Sequence, residues 1–306
     1  MHVNLVEETA CNLLKQAAVH LPEDVKKALI RAYNSEESEV GKSQLEAILK
    51  NIELAEENQA PICQDTGTIT FYIKAGSDFK MLRHVEEALV TAVRRATRHV
   101  PLRPNAINPI NGRNSGDNTG RFSPQTIWEV VAGDFLELTV MLKGGGSENA
   151  SALSTLLPSD GIKELKKFVV ETVVRAGAQP CPPVILGIAF GGNVDLTMKL
   201  AKKALLRPLG KANPDPEVAR LEAELMDAVN STGIGPMGLG GRITTLGVHV
   251  DYAYRHPATF PAAVAFSCWA LRRASARINN DGSVEYLTHR DDELYGHVSS
   301  ENTFIR

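Results

Sequence analysis

Residues 184 to 190 read Val184-Ile185-Leu186-Gly187-Ile188-Ala189-Phe190, an apolar run closed by Pro182-Pro183 before it and Gly191-Gly192 after it. A run this short, bounded by turn residues, reads as a strand buried on both faces. Working outward, residues 161–176 and 196–206 carry helical spacing on either side. A turn-rich connector at 208–216 leads to a further helix over 217–230. Strand-like residues 243–250 follow, then an apolar core segment over 262–271, and Asn280-Asp281-Gly282 has the form of a hairpin turn. Toward the N-terminus, Leu5, Val6, Ala10, Leu13, Leu14, Ala17 and Leu21 recur at helical steps. Pro22 opens a second helix whose inner stripe is Val25, Ala28, Leu29 and Ala32. A third helix covers 42–58, a strand 68–74, and an amphipathic helix 84–100 with Arg94, Arg95 and Arg98 near its end, where cations suit the dipole. Two strands, 127–131 and 135–142, complete the set. Helices and strands alternate too irregularly for a doubly wound sheet. The expected fold is α+β, a helix-rich domain around a small mixed or antiparallel sheet, with its functional site built from loops. Residues 1–275 read as one domain, and 276–306 as a C-terminal hairpin and tail packed on that domain or on a partner.

Composition excludes several classes. The 306 residues are 43% hydrophobic and 23% charged, an ordinary globular balance that leaves out disordered and fibrous proteins. A net charge of −3 is too even for a nucleic-acid binder working by bulk charge. No apolar run approaches the roughly 18 residues of a membrane span. Glu7 and Glu8 stand where a secretion signal needs positive charge, so a cytoplasmic protein is expected. Of the four cysteines, Cys11, Cys63, Cys181 and Cys268, none forms a C-x-x-C pair, which also fits a reducing compartment.

Three of these cysteines sit among prolines and small residues: Ala60-Pro61-Ile62-Cys63-Gln64-Asp65-Thr66-Gly67, Gln179-Pro180-Cys181-Pro182-Pro183 and Phe266-Ser267-Cys268-Trp269-Ala270. Such turns hold a thiolate in a fixed direction, as a metal or an iron–sulfur cluster requires. Taken singly, each cysteine also reads as a small buried hydrophobe, and Cys11, inside an amphipathic helix, reads as packing. Glycines clump at 144–146, at 187, 191 and 192, and between 233 and 241, where they either bring main-chain amides close to an anion or make tight turns. Gly233-Ile234-Gly235-Pro236-Met237-Gly238 matches a dinucleotide fingerprint only in letters, because a helix precedes it and Pro236 interrupts it. The polar stretch 101–124 is long for a structureless loop, which points to a functional role. Arg103 opens it and can clamp a carboxylate. His256, in Tyr254-Arg255-His256-Pro257, reads equally as a structural or a functional residue.

At these residues the sequence resembles a known family. Ile62-Cys63-Gln64-Asp65-Thr66-Gly67, Gly144-Gly145-Gly146-Ser147-Glu148-Asn149, Cys181-Pro182-Pro183 with Gly191-Gly192-Asn193, and Cys268-Trp269-Ala270 with Arg272-Arg273 together resemble the class I iron–sulfur hydro-lyases, the oxygen-sensitive fumarases and tartrate dehydratases. The resemblance runs from the first helices to about Arg273. It implies that Cys63, Cys181 and Cys268 ligate a [4Fe-4S] cluster whose fourth iron binds substrate. It implies that Asp65 is the acid that protonates the leaving hydroxyl, and that Gln64, Arg103, Gly146 and His256 contact a small dicarboxylate.

In the single-chain fumarases a further C-terminal domain supplies the base and more cations. This chain ends where that domain would begin. The resemblance is therefore to an α subunit that works with a separate β subunit. Ser147 after the triple glycine and Arg103-Pro104-Asn105-Ala106 look more like the fumarase branch, with the L(+)-tartrate dehydratase α subunit as the alternative. From a different class, a zinc-binding protein or a non-catalytic docking module would use the same cysteines or none of them. No nucleic-acid or membrane partner is expected.

Overall fold

A computed structural model of the chain describes residues 3–100 and 102–289. In chain order the elements are α1 (Val3–Val19), α2 (Glu23–Ser35), α3 (Glu39–Glu57), β1 (Thr68–Gly76), α4 (Val85–His99), β2 (Gln125–Val131) and β3 (Phe135–Lys143). There follow α5 (Gly145–Asn149), β4 (Ala152–Leu156), α6 (Gly161–Ala176), β5 (Val184–Gly191), α7 (Val194–Ala204) and α8 (Pro216–Asn230). The last strands are β6 (Thr245–Ala253), β7 (Phe260–Ser267), β8 (Arg272–Asn279) and β9 (Val284–Tyr286). The fold is α+β with mixed sheets, as the irregular alternation of the sequence indicates. Two compact units share the chain, one formed by residues up to 23, 58–142 and those from 272 onward, the other by 24–57 and 143–271.

The first unit is built on a five-stranded sheet in the order β2-β1-β3-β8-β9. The β1 and β2 strands run parallel, so the chain must cross over between them, and α4 lies in that crossover. The β3–β8 and β8–β9 pairs are antiparallel. Helices α1 and α4 pack on each other, and their apolar stripes (Leu13, Leu14 and Ala17; Leu89, Ala92 and Val93) join Phe71, Ile73, Leu136, Leu138, Ala274 and Ala276 in one core. Cys11 packs against this core as a half-buried side chain, in keeping with its place in the helix. The hairpin expected at Asn280 is the β8–β9 connection, where the Gly282 amide donates to the Asn279 carbonyl at 3.0 Å. The remainder of the tail, 290–306, lies outside the described residues.

The second unit holds the strand from which the sequence was read. Its sheet runs β4-β7-β5-β6, with β5 parallel to β6 and antiparallel to β7, and β4 antiparallel to β7. Alternate residues of β5 serve opposite faces. Val184, Leu186 and Ile188 join Leu165, Val169, Leu221 and Leu225 of α6 and α8 in one core. On the other face Gly187 lies directly under α7: a Cβ there would come within 2.0 Å of the Ala201 carbonyl oxygen and 3.0 Å of Leu205 Cγ. Helices on both faces explain why the run is apolar throughout, and the helix contact explains why its centre is glycine. Gly187→Ala would force α7 off the sheet, and overpacking of this kind is expected to cost about 3 kcal/mol in a denaturant titration. A wild-type midpoint would show that α7 can shift without loss. No described helix is long and apolar enough to cross a membrane.

Candidate active site

In the first unit the segment 60–67 bends between α3 and β1 and is pinned along its length. The Ile62 amide donates to the Ala18 carbonyl at 2.9 Å, which seats the half-buried Cys63 immediately after a buried Ile62. Asp65 Oδ1 accepts from the Gly67 amide at 2.9 Å and from Asn105 Nδ2 at 3.3 Å. The same Asn105 amide donates to the Gly67 carbonyl at 3.1 Å. Behind the loop, Arg272 is 1% exposed and its Nη1 donates to the Asp65 main-chain oxygen at 2.7 Å. Burying a guanidinium is costly unless it is paired, so a buried arginine spent on one carbonyl marks a loop that the fold holds in place.

Arg103 is tied to the same loop through its backbone. Its amide donates to Thr66 Oγ1 at 3.0 Å, and its carbonyl accepts from Asn118 Nδ2 at 3.1 Å. Asn118 Oδ1 in turn accepts the Asn105 amide at 2.7 Å, and its Nδ2 reaches Thr97 Oγ1 at 3.0 Å. The side chains of Gln64 and Arg103 are exposed, whereas Thr66 and Asn118 are buried. The long polar stretch is therefore ordered by asparagines acting as backbone staples, and it presents Arg103 beside the Cys63–Asp65 segment. This part of the first unit brings together Cys63, Gln64, Asp65 and Arg103.

In the second unit Cys181 and Cys268 occupy adjoining loops at one end of the sheet, just before β5 and just after β7. The Trp269 amide donates to the Cys181 carbonyl at 3.4 Å, and the Cys268 thiol points at the Ala270 carbonyl, 3.6 Å away. Cys181 holds a left-handed φ of 55°, unusual for a residue with a side chain. Gly146 sits at the start of the short helix α5, where a Cβ would come within 2.9 Å of the Gln179 carbonyl oxygen. The absence of a side chain thus lets the triple-glycine loop close on the Cys181 loop.

His256 lies elsewhere. It precedes β7, at the end opposite Cys268, and the strand between them is on the order of 25 Å long. Its Nδ1 accepts the Ala258 amide at 3.1 Å, which in the neutral ring leaves Nε2 as the donor, and the side chain is exposed. The structure brings Gly146 to the two cysteines of this unit and does not bring His256 to them.

An ion-pair cluster that the sequence reading passed over lies beside Cys268. Lys143, the last residue of β3, is 4% exposed, and its Nζ is 2.8 Å from Glu148 Oε2, while Lys202 Nζ is 2.6 Å from Glu148 Oε1. Burial pushes the Lys143 ammonium below its ordinary pKa range, and Glu148 opposes that shift. Burial pushes the Glu148 carboxyl up, but the two lysines outweigh it and hold the group below its usual value. The Cys268 thiol lies within the electrostatic reach of Lys143. Glu148→Ala would leave a buried ammonium without its carboxylate, a change expected to cost about 3 kcal/mol at neutral pH by chemical denaturation. A loss below about 0.5 kcal/mol would mean that Lys143 gives up its proton without penalty. The signal was present in Lys143-Gly144-Gly145-Gly146-Ser147-Glu148, where a lysine ends an apolar strand five residues before a glutamate.

The donor set suits soft metal chemistry. Cys63, Cys181 and Cys268 are all free of disulfides and half-buried, so each thiol is held yet reachable. Among the described residues no three His, Cys, Asp or Glu side chains stand close enough to bind a single metal ion.

Comparison with known proteins gives this arrangement a family. A model of the fumarate hydratase (fumerase) family matches residues 7–277. A Methanocaldococcus jannaschii chain, provisionally named as an L(+)-tartrate dehydratase subunit alpha, is 44% identical over 284 residues, covering 91% of this chain and 99% of that one. The L(+)-tartrate dehydratase subunit alpha of Escherichia coli strain UTI89 is 37% identical over 293 residues, covering 95% of this chain and 97% of its own. Its counterpart in strain K12 is 36% identical over the same length. With the match running through the Cys63–Asp65 segment, the triple-glycine loop and both remaining cysteine loops, the chain belongs to the fumarate hydratase (fumerase) family and is a hydro-lyase.

Proposed function

We propose that this chain is the α subunit of a two-chain hydro-lyase that interconverts fumarate and L-malate, with Cys63, Cys181 and Cys268 holding a [4Fe-4S] cluster. The observation that carries this reading is the Cys63–Gly67 segment, where a thiol and a carboxyl two residues apart are fixed by Ala18, Asn105 and Arg272. Bound by three thiolates, a cluster keeps one iron open as a Lewis acid for the hydroxyl and carboxylate oxygens of the substrate. The chain's own residues do the rest. Asp65 gives its proton to the departing hydroxyl, which leaves as water, and takes a proton back from water in the hydration direction. Two hydrogen bonds to Oδ1 fix the plane of its carboxyl, so the proton is delivered in one direction. Gln64, Arg103 and the Gly146 amide bind the carboxylates of the substrate, Arg103 through a charge-assisted pair. The base that removes the carbon-bound proton belongs to the β subunit.

L(+)-tartrate is the second reading, and the names of the relatives favour it. The two substrates differ by one hydroxyl. A site built to hydrogen-bond that hydroxyl discriminates strongly against a substrate without it. The test is the anaerobically assembled αβ complex assayed on L-malate, fumarate and L(+)-tartrate. A kcat/KM at least tenfold higher for the fumarate–malate pair is expected. The reverse ratio would assign the chain to tartrate, and turnover of neither would overturn the hydro-lyase assignment on four-carbon acids.

A further inference from the structure

Just past the clumped glycines at 233–241, the main chain closes on an anion that comes from the chain itself, the carboxylate of Glu36. Glu36 lies in the short connection between α2 and α3 and is 1% exposed. Its Oε1 accepts the amides of Glu37 at 2.9 Å, Ser38 at 3.0 Å and Arg242 at 2.9 Å. Its Oε2 accepts Arg242 and Ile243, both at 2.9 Å. The charge is held by main-chain dipoles, in the manner of an anion nest. The Arg242 guanidinium turns away to Glu37, at 2.7 Å. Burial pushes the carboxyl of Glu36 up, and the amides outweigh it and hold the group below its usual value. Gly241, at φ 138°, makes room for the carboxylate: a Cβ there would stand 3.0 Å from Glu36 Cδ.

The loop gripped in this way touches the segment that carries Cys181. The Met237 amide donates to the Pro182 carbonyl at 2.8 Å. Gly238 lies against Ala178, where an added Cβ would come within 2.4 Å of the alanine methyl. Within the loop, Gly238 donates to the Gly235 carbonyl at 3.0 Å and Gly240 to the Ile234 carbonyl at 2.9 Å, and the Gly235 amide is anchored on Thr244 Oγ1 at 3.1 Å. The Met237–Pro182, Gly238–Gly235 and Gly240–Ile234 links are main-chain hydrogen bonds, while Glu36 and Thr244 grip the loop through their side chains, so displacing the carboxylate is expected to loosen the contacts that lead to Cys181.

We propose that Glu36 is a positioning residue for Cys181, acting through the 233–243 loop and the Met237–Pro182 hydrogen bond. This rests on the cluster reading for its purpose, though not for its geometry. The test uses Glu36→Gln in the full chain, because the carboxamide keeps the shape but turns an NH2 toward amides that need an acceptor. In metal-free protein, alkylation of Cys181 by iodoacetamide is expected to rise at least tenfold, with Cys11 unchanged as the internal reference. Hydrogen exchange is expected to quicken in both 234–243 and 178–183, while circular dichroism and cooperative unfolding persist. After reconstitution, iron per chain is expected to fall severalfold. Faster exchange in 234–243 with Cys181 alkylation at the wild-type rate would overturn the proposal, since Glu36 would then hold only its own loop. Unchanged iron loading would overturn it as well. If Glu36→Gln does not fold, Glu36→Asp keeps the charge and shortens the reach, and the same readouts apply. Loss of folding in both would assign Glu36 to the fold as a whole and overturn the positioning role. The alkylation and exchange readouts need no metal, so they succeed or fail independently of the cluster assignment.

Discussion

Cys181→Ser should leave a folded chain that no longer holds a full cluster, with turnover of the assembled enzyme down by at least about three orders of magnitude, as expected when an essential metal function is removed. The substitution exchanges sulfur for oxygen and changes little else. Position 181 has a left-handed φ of 55° that serine meets no more strain in adopting than cysteine does, so the fold is not the variable. Thiolates are the ligands of such clusters, and a serine hydroxyl does not ionise comparably near neutral pH. Circular dichroism and the unfolding midpoint should match the wild type while iron per chain and the visible absorption fall. A variant with a full complement of iron would remove Cys181 from the ligand set.

Asp65→Asn should give the opposite pattern, with iron and absorption intact and turnover lost by about three orders of magnitude, within the range that positioned general acids supply. Asparagine keeps the oxygen that accepts from Gly67 and Asn105, at 2.9 and 3.3 Å in the wild type, so the loop should stay in place. What it cannot do is donate an acidic proton to a departing hydroxyl. The loss should fall on kcat, with KM within a few-fold, because the interaction removed belongs to the transition state. Activity within tenfold of wild type would exclude Asp65 as the acid. The two variants thus separate holding the metal from moving the proton.

The strand at 184–190 was legible because burial on both faces leaves only apolar residues in its sequence. The helices before and after it in the chain were legible for the complementary reason, a single apolar stripe. Other elements left weaker marks. β8 starts with Arg272-Arg273, both buried, and carries its inward set as Ala274, Ala276 and Ile278, a period of two hidden among small residues. β4 owes its existence to pairing with β7, and α5 grows out of a triple glycine that reads as a turn. The two units were not marked by composition either. The chain passes between them where regular elements begin or end, at the start of α2, the end of α3, the end of β3 and the start of β8.

The site divides in the same way. Cys63 and Cys181 stand out in the sequence as candidates because prolines share their turns. The residues that hold them do not. Asn105, Asn118 and Arg272 act on main-chain groups distant in sequence, and Glu36 closes on amides 206 and 207 residues away. Such partners are set by tertiary structure and carry no local pattern. The glycines at 233–241 take the positive φ of tight turns, and the amides that hold the Glu36 carboxylate are those of Arg242 and Ile243 just past them.

Three thiolates of this chain, those of Cys63, Cys181 and Cys268, are proposed to hold a cluster. Iron and acid-labile sulfide, measured with the absorption spectrum on the chain purified without oxygen, test it directly. About four of each per chain are predicted, in keeping with a [4Fe-4S] protein. Zinc in their place, or no metal after reconstitution with iron and sulfide, would contradict the claim and the mechanism built on it.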